Sequence, residues 1–262
     1  MKRKRFYRFI TIGLFSILLV SCAKNAETET PANKTPSISA GEAIAQAEIL
    51  FKQREDPARL REAVRLLAAA RAIDHRIYEI EWQYARFNFF LGKQTTDEKE
   101  SDKALEDGLQ AGKIAARLEP DKPEGHFWYG ANLGEQAKKS PITVGIKAID
   151  EIREAMNKVI EIEPGYQGAS AFDALAQIEL KAGLLGGGKP EKAIEYLEKG
   201  LQLFKENTYL YLHLGEAYLA VNRKDDARKQ LEYVLKMKPT PEYAVEYKEC
   251  AERAKKLLET RF

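Results

Sequence analysis

Beyond Ser39 the large apolar residues recur three or four positions apart, and Gly, Pro, Asn or Asp interrupt them every 15 to 20 residues. That spacing lines up side chains on one face of an α-helix, whereas a strand would alternate them. The pattern predicts helices near 39–53, 57–73, 76–92, 101–118, 123–138, 144–162, 168–182, 190–204, 208–221, 224–237 and 241–259, paired by short turns, and no strand.

A frame of i, i+4, i+7 and i+10 links every second helix. Ala193, Leu197, Gly200 and Leu203 return 34 residues later as Ala227, Leu231, Val234 and Met237. The frame also fits Ile152, Met156, Val159 and Ile162, then Gly108, Gly112, Ala115 and Leu118, then Ala63, Leu67, Ala70 and Ile73, at successive offsets of 45, 44, 41 and 34. A period of about 34 residues is that of tetratricopeptide repeats. The last unit resembles their consensus, with Tyr211, Leu214, Gly215, Tyr218, Ala227, Leu231 and Pro239 at the signature spacings. Small residues such as Gly215 and Ala227 let two helices approach, and Pro239 stops the second. The longer offsets are taken up by insertions at 92–101, 138–145 and 184–189. The fold class expected for 39–262 is therefore all-α, an α-solenoid of about five tetratricopeptide-like helix pairs. Its C-terminal helix, near 241–259, caps the last apolar face.

Composition changes this picture only at the N-terminus. Lys2, Arg3, Lys4, Arg5 and Arg8 precede the apolar run Phe9–Val20. This is the layout of an export signal, and the run is too short for the ~20 residues of a spanning helix. "LVSC", Leu19 to Cys22, resembles the bacterial lipobox, which implies cleavage after residue 21 and acylation of Cys22. Residues 22–38 lack a large apolar cluster and read as a lipidated tether; fifteen such residues span roughly 20 Å. Loss of five cations with the signal turns a net charge of +2 into −3 for the chain from Cys22, which removes the electrostatic basis for nucleic-acid binding. Cys250 then has no intrachain partner, and on a helical stretch it reads as a small packed residue.

Catalytic motifs do not emerge. "GLLGGGKPEKA", 183–193, has the G-x-x-x-x-G-K spacing of a phosphate loop. It follows a helical pattern instead of a strand, and Pro190 replaces the Ser or Thr that would hold magnesium. At the first position of a helix proline is ordinary. His75, His126 and His213 are far apart, and neither H-E-x-x-H, C-x-x-C nor G-x-S-x-G occurs, so no enzyme, metal or cofactor is expected. Aromatic residues gather on two first helices as Tyr78, Trp82, Tyr84, Phe87, Phe89, Phe90, Phe127, Trp128 and Tyr129, which fits burial between repeats better than a lined groove. By resemblance to tetratricopeptide grooves, the residues expected to face the concave side are Trp82, Trp128, Asn132, Asp173, Gln177, His213 and Glu216.

Lipobox, tether, divergent repeats, "FWYGANLG", "SPITVG" and "GGGKPEKA" together resemble the T-component lipoproteins of TRAP transporters. The resemblance implies a non-enzymatic, lipid-anchored periplasmic protein that associates with a solute-binding protein or a small apolar or carboxylate ligand. Ala23 and Lys24 lack the Asp that retains many such lipoproteins at the inner membrane, so the outer membrane is expected. A general envelope scaffold for outer-membrane assembly or secretion is the alternative. Mass spectrometry of the mature N-terminus is expected to find a diacylglyceryl, N-acylated Cys22; an uncleaved or unmodified terminus refutes the anchor.

Overall fold

The computed structural model describes residues 38–71, 75–140, 144–182, 188–240 and 243–262. The signal, Cys22, most of the tether, Ile73 and the glycines of the 183–187 loop lie outside the described residues. Eleven helices follow in order: α1 Ala40–Phe51, α2 Pro57–Ala70, α3 Tyr78–Gln94, α4 Glu98–Leu118, α5 Pro123–Lys139, α6 Ile146–Ile162, α7 Tyr166–Ala182, α8 Pro190–Leu203, α9 Thr208–Ala220, α10 Lys224–Lys236 and α11 Ala244–Arg261. No strand occurs among the described residues.

Local chemistry sets the helix starts. Ser39 and Glu42 form a reciprocal capping box at α1; Asp56, Asp97 and Asn207 accept from first-turn amides of α2, α4 and α9. Pro57, Pro123 and Pro190 occupy first helical positions, where the missing amide costs nothing. The Asp97 cap starts α4 three residues ahead of the expected 101. At α7 the chain departs from expectation more sharply, since Gln167, Gly168 and Ala169 have φ of 48°, 62° and 61°. This left-handed turn costs roughly 1–2 kcal/mol for each non-glycine residue. Asn207 Nδ2 braces it by donating to Gly168 O at 2.8 Å and Ser170 Oγ at 3.1 Å.

The helices pair as α1/α2, α3/α4, α5/α6, α7/α8 and α9/α10, and each second helix also packs on the next first helix. Consecutive first helices touch as well, α1 on α3, α3 on α5, α5 on α7, α7 on α9 and α9 on α11. The first helices therefore line the inner side of the curve. The repeating frame is buried at i and i+4, and at i+7 in all units but the first, where Ala70 is partly buried: Ala63 and Leu67, Gly108, Gly112 and Ala115, Ile152, Met156 and Val159, and the same positions of α8 and α10. At i+10 the frame frays: Leu118 and Leu203 are 42% and 50% exposed at their helix ends, while Ile162 and Met237 are partly buried.

An aromatic row ties the first four pairs together. Phe51 stacks on Phe87 at 4.5 Å and meets Phe90 edge-on at 5.1 Å; Phe89 and Phe90 reach Trp128 at 5.5 and 6.1 Å; Trp128 meets Phe127 at 4.9 Å and Phe127 meets Tyr166 at 5.4 Å. Contacts of this geometry add to the area the rings bury. Glu81 of α3, fully buried, accepts from Arg71 Nε and Nη2 at the end of α2 at 3.0 and 2.8 Å and from Arg76 at 3.1 Å.

Where α4 crosses α5 the two backbones meet. A Cβ on Gly112 would lie 2.6 Å from Tyr129 N, and one on Gly125 would lie 2.3 Å from Ala116 N. Gly134, also in α5, has open space beside it. Gly112→Ala is accordingly expected to lower stability by about 1–3 kcal/mol through overpacking, and Gly134→Ala to raise it by about 0.5–1 kcal/mol through helix propensity. Urea unfolding midpoints check the opposite signs.

Candidate functional site

The inner side is a surface to which several pairs contribute, and α11 lies against it. Cys250 and Ala254, both 0% exposed, join Leu212, Leu231 and Val234 in a small apolar cluster. The adjoining face of α11 is charged. Arg253 Nε pairs with Glu216 of α9 at 2.5 Å. Glu249 accepts from Tyr209 Oη of α9 at 2.6 Å and from Lys93 Nζ of α3 at 3.2 Å. Glu246 accepts twice from Arg54 Nη2, at 2.9 and 3.0 Å, and Arg54 stands just past the end of α1. Arg54 itself lies over the rings of Phe51 and Phe90 at 4.8 and 5.4 Å, so α1 and α3 together hold its guanidinium in place.

Around these pairs runs a hydrogen-bonded layer. His213 Nδ1 donates to Asp173 Oδ1 at 2.6 Å, joining α9 to α7, and the His213 ring stacks on Tyr209 at 5.8 Å. Lys93 Nζ lies 5.5 Å from the centre of the same tyrosine ring. Burial, with Glu249 close by, pushes the Tyr209 hydroxyl far above its ordinary value and keeps it a donor. Burial raises Glu249, but Lys93 and the Tyr209 hydroxyl outweigh it and hold the carboxyl below its usual range. Lys181 at the end of α7 is pulled down by burial and by Lys138. Burial drives the Cys250 thiol up to about 12, which leaves little thiolate at neutral pH.

The seven residues expected on the concave side divide by location. Asp173, His213 and Glu216 come together at the α11 contact. Gln177 stands one turn after Asp173 on α7, partly buried. Trp82 is half-buried on α3, with the Arg86 guanidinium 6.0 Å from its ring. Trp128 and Asn132 do not project into a groove: they are 3% and 0% exposed. Trp128 belongs to the aromatic row. Asn132 Nδ2 donates to Ala85 O at 3.1 Å and Trp128 O at 2.7 Å, and its carboxamide fills the space left by Gly108. Helix α5 is rotated so that these residues meet α3 and α4, which sequence spacing alone leaves undecided. Arg54, Lys93, Tyr209, Glu246, Glu249 and Arg253 were missed. The i, i+3, i+7 spacing of the last three on one helix face was the available signal.

The glycine-lysine stretch has a structural task at its described end. The Lys189 amide, at the start of α8, donates to Glu179 Oε2 at 3.2 Å, and Arg153 and Lys192 pair with Oε1 of the same carboxylate at 2.7 and 3.6 Å. The chain's own carboxylate thus takes the helix N-terminus. Among the described residues, no group of His, Cys, Asp and Glu is placed to hold a metal, and no helix is long and apolar enough to cross a membrane.

In a chain carrying Cys22→Ser, Cys250 is the sole thiol. It is expected to resist an aromatic disulfide reagent at mildly alkaline pH and to titrate as one equivalent in urea; rapid labelling of the folded chain contradicts the burial described.

Two family profiles match parts of the chain: tetratricopeptide repeat over residues 184–245, and "Regulator of microtubule dynamics protein 1-3" over residues 43–170. No curated protein sequence matches. TTC0263 of Thermus thermophilus, described as a thermophilic TPR protein, is similar with a TM-score of 0.59 at 18% identity, over 83% of this chain and 99% of its own. The Pseudomonas aeruginosa pilF structure is similar with a TM-score of 0.51 at 17% identity, over 85% of this chain and 93% of its own. With five helix pairs, a recurring small-residue frame and these likenesses, the chain has the fold of a tetratricopeptide-type helical repeat protein.

Proposed function

We propose that this chain is a non-enzymatic envelope protein, anchored through Cys22, whose inner face binds a partner protein as an accessory of a TRAP-type transport system. The observation that carries the binding part is the convergence of Arg54, Lys93, Asp173, His213, Tyr209 and Glu216 from α1, α3, α7 and α9 onto one surface. Side chains of this kind clamp a peptide or a helix by hydrogen bonds and charge. A protein segment suits the face better than a small apolar ligand, because the aromatic residues that would line an apolar cavity are spent on one another.

The transport role and the location rest on the sequence: the lipobox, the tether and the stretch "FWYGANLG" that resembles T-component lipoproteins. The second reading, a general envelope scaffold, draws on the generic repeats of residues 184–245. Cross-linking in cells followed by affinity purification from detergent-solubilised envelopes separates the two. A solute-binding protein or a permease subunit is the expected enriched partner. Enrichment of outer-membrane assembly or secretion components alone selects the scaffold, and no enriched partner in either class defeats both.

A further inference from the structure

A cap on a one-dimensional array touches its nearest neighbours. Helix α11 does so through Cys250, Ala254, Leu257 and Leu258, but its charged face reaches much further. Glu246 and Glu249 meet Arg54 and Lys93, which lie 192 and 156 positions earlier in the chain. The helix is also lightly held. Its fully buried residues are Cys250 and Ala254, both small, whereas the shorter α10 buries Ala227, Leu231 and Val234. Glu249 and Arg253 stay 53% and 49% exposed within their pairs, and exposed pairs are individually weak; Glu246, 15% exposed against Arg54, is the charge that holds the helix firmly. Residues 237–240 are non-helical, so α11 can leave without unwinding α10.

We propose that the inner face is a helix-binding groove in which α11 is the resident ligand, and that an amphipathic helix of a partner takes its place. The partner helix carries carboxylates at i and i+3, a small residue at i+4 and an arginine at i+7. This is the spacing of Glu246, Glu249, Cys250 and Arg253, which one helical face presents together. The receiving side dictates the same chemistry. Arg54 and Lys93 take the carboxylates, Glu216 takes the arginine, and the small Cys250 side chain is fully buried between them. The proposal rests on the reading of this face as a partner-binding surface and specifies the partner's chemistry.

The test uses a fluorescein-labelled peptide of residues 243–262 carrying Cys250→Ser. It is titrated by anisotropy into the full chain with Cys22→Ser, and into the same chain with Glu246→Ala, Glu249→Ala and Arg253→Ala added in its own α11. These changes loosen the resident helix and leave the groove's own groups in place. The peptide is expected to bind the loosened chain more tightly by about 5- to 150-fold, the usual range for coupled equilibria. Cys250 of that chain becomes reactive without denaturant, and further addition of Arg54→Ala and Lys93→Ala removes the gain. Equal peptide affinity for both chains, or a Cys250 still masked in the loosened one, overturns the proposal. If the triple variant loses cooperative unfolding, Glu249→Ala alone serves with the same readouts. A concentration-dependent dimer of the loosened chain in ultracentrifugation assigns the groove to α11 of a second copy and also overturns it. Envelope capture distinguishes the two readings. A partner retained equally by both chains leaves partner binding standing and defeats displacement; peptide binding as expected with no envelope partner keeps the groove and defeats the transport role.

Discussion

Close approach of helix backbones at positions without a side chain is the constraint on which the array depends. Gly112 of α4 abuts the backbone of Tyr129, and Gly125 of α5 abuts the backbone of Ala115 and Ala116, so the two helices grip each other reciprocally. Gly215 repeats the arrangement against Leu231 in the last pair, there with a side chain as the neighbour. Such contacts set the distance and rotation between successive helices, because packed interiors yield little. Summed along five pairs, those rotations bring the end of α1 to α11, which no single turn or helix could achieve.

Stability is distributed unevenly along this curve. From α1 to α7 the continuous aromatic row and the buried Glu81 with its two arginines fasten the pairs to one another. Removing one partner of a buried pair is costly, since the other is left charged and unpaired, so this half resists local opening. At the far end, α11 adds two small buried side chains, the half-exposed Glu249 and Arg253, and one largely buried pair, Glu246 with Arg54. Regions with few buried apolar contacts open at lower free energy than the body they join. The part of the molecule with the richest long-range charge pairing thus buries little apolar side-chain bulk of its own.

The helices and their pairing were legible in the sequence because they rest on local rules. Apolar spacing, caps such as Asp56, Asp97 and Asn207, and prolines at first helical positions each act within a few residues. Departures fell where a non-local contact overrides a local pattern. The start of α7 is turned left-handed by Asn207 from the next turn of the array, 39 residues away. Leu203 satisfies the apolar frame yet stays half exposed, because the periodic pattern does not report where a neighbouring helix stops.

The inner face shows the same division. Asp173, His213 and Glu216 could be placed on it from repeat register, and the spacing of Glu246, Glu249 and Arg253 on one face of α11 could be read directly. Trp128 and Asn132 shared that register and turned inward, since a small rotation of α5 converts a groove position into a core position where Gly108 leaves room. By itself the sequence determined an all-α repeat array and the approximate extent of its helices, all carried by residues near one another in the chain. Only the tertiary structure decided that the array curves far enough for Arg54 and Lys93 to meet α11, because curvature is a sum of small inter-helix rotations that no local pattern encodes.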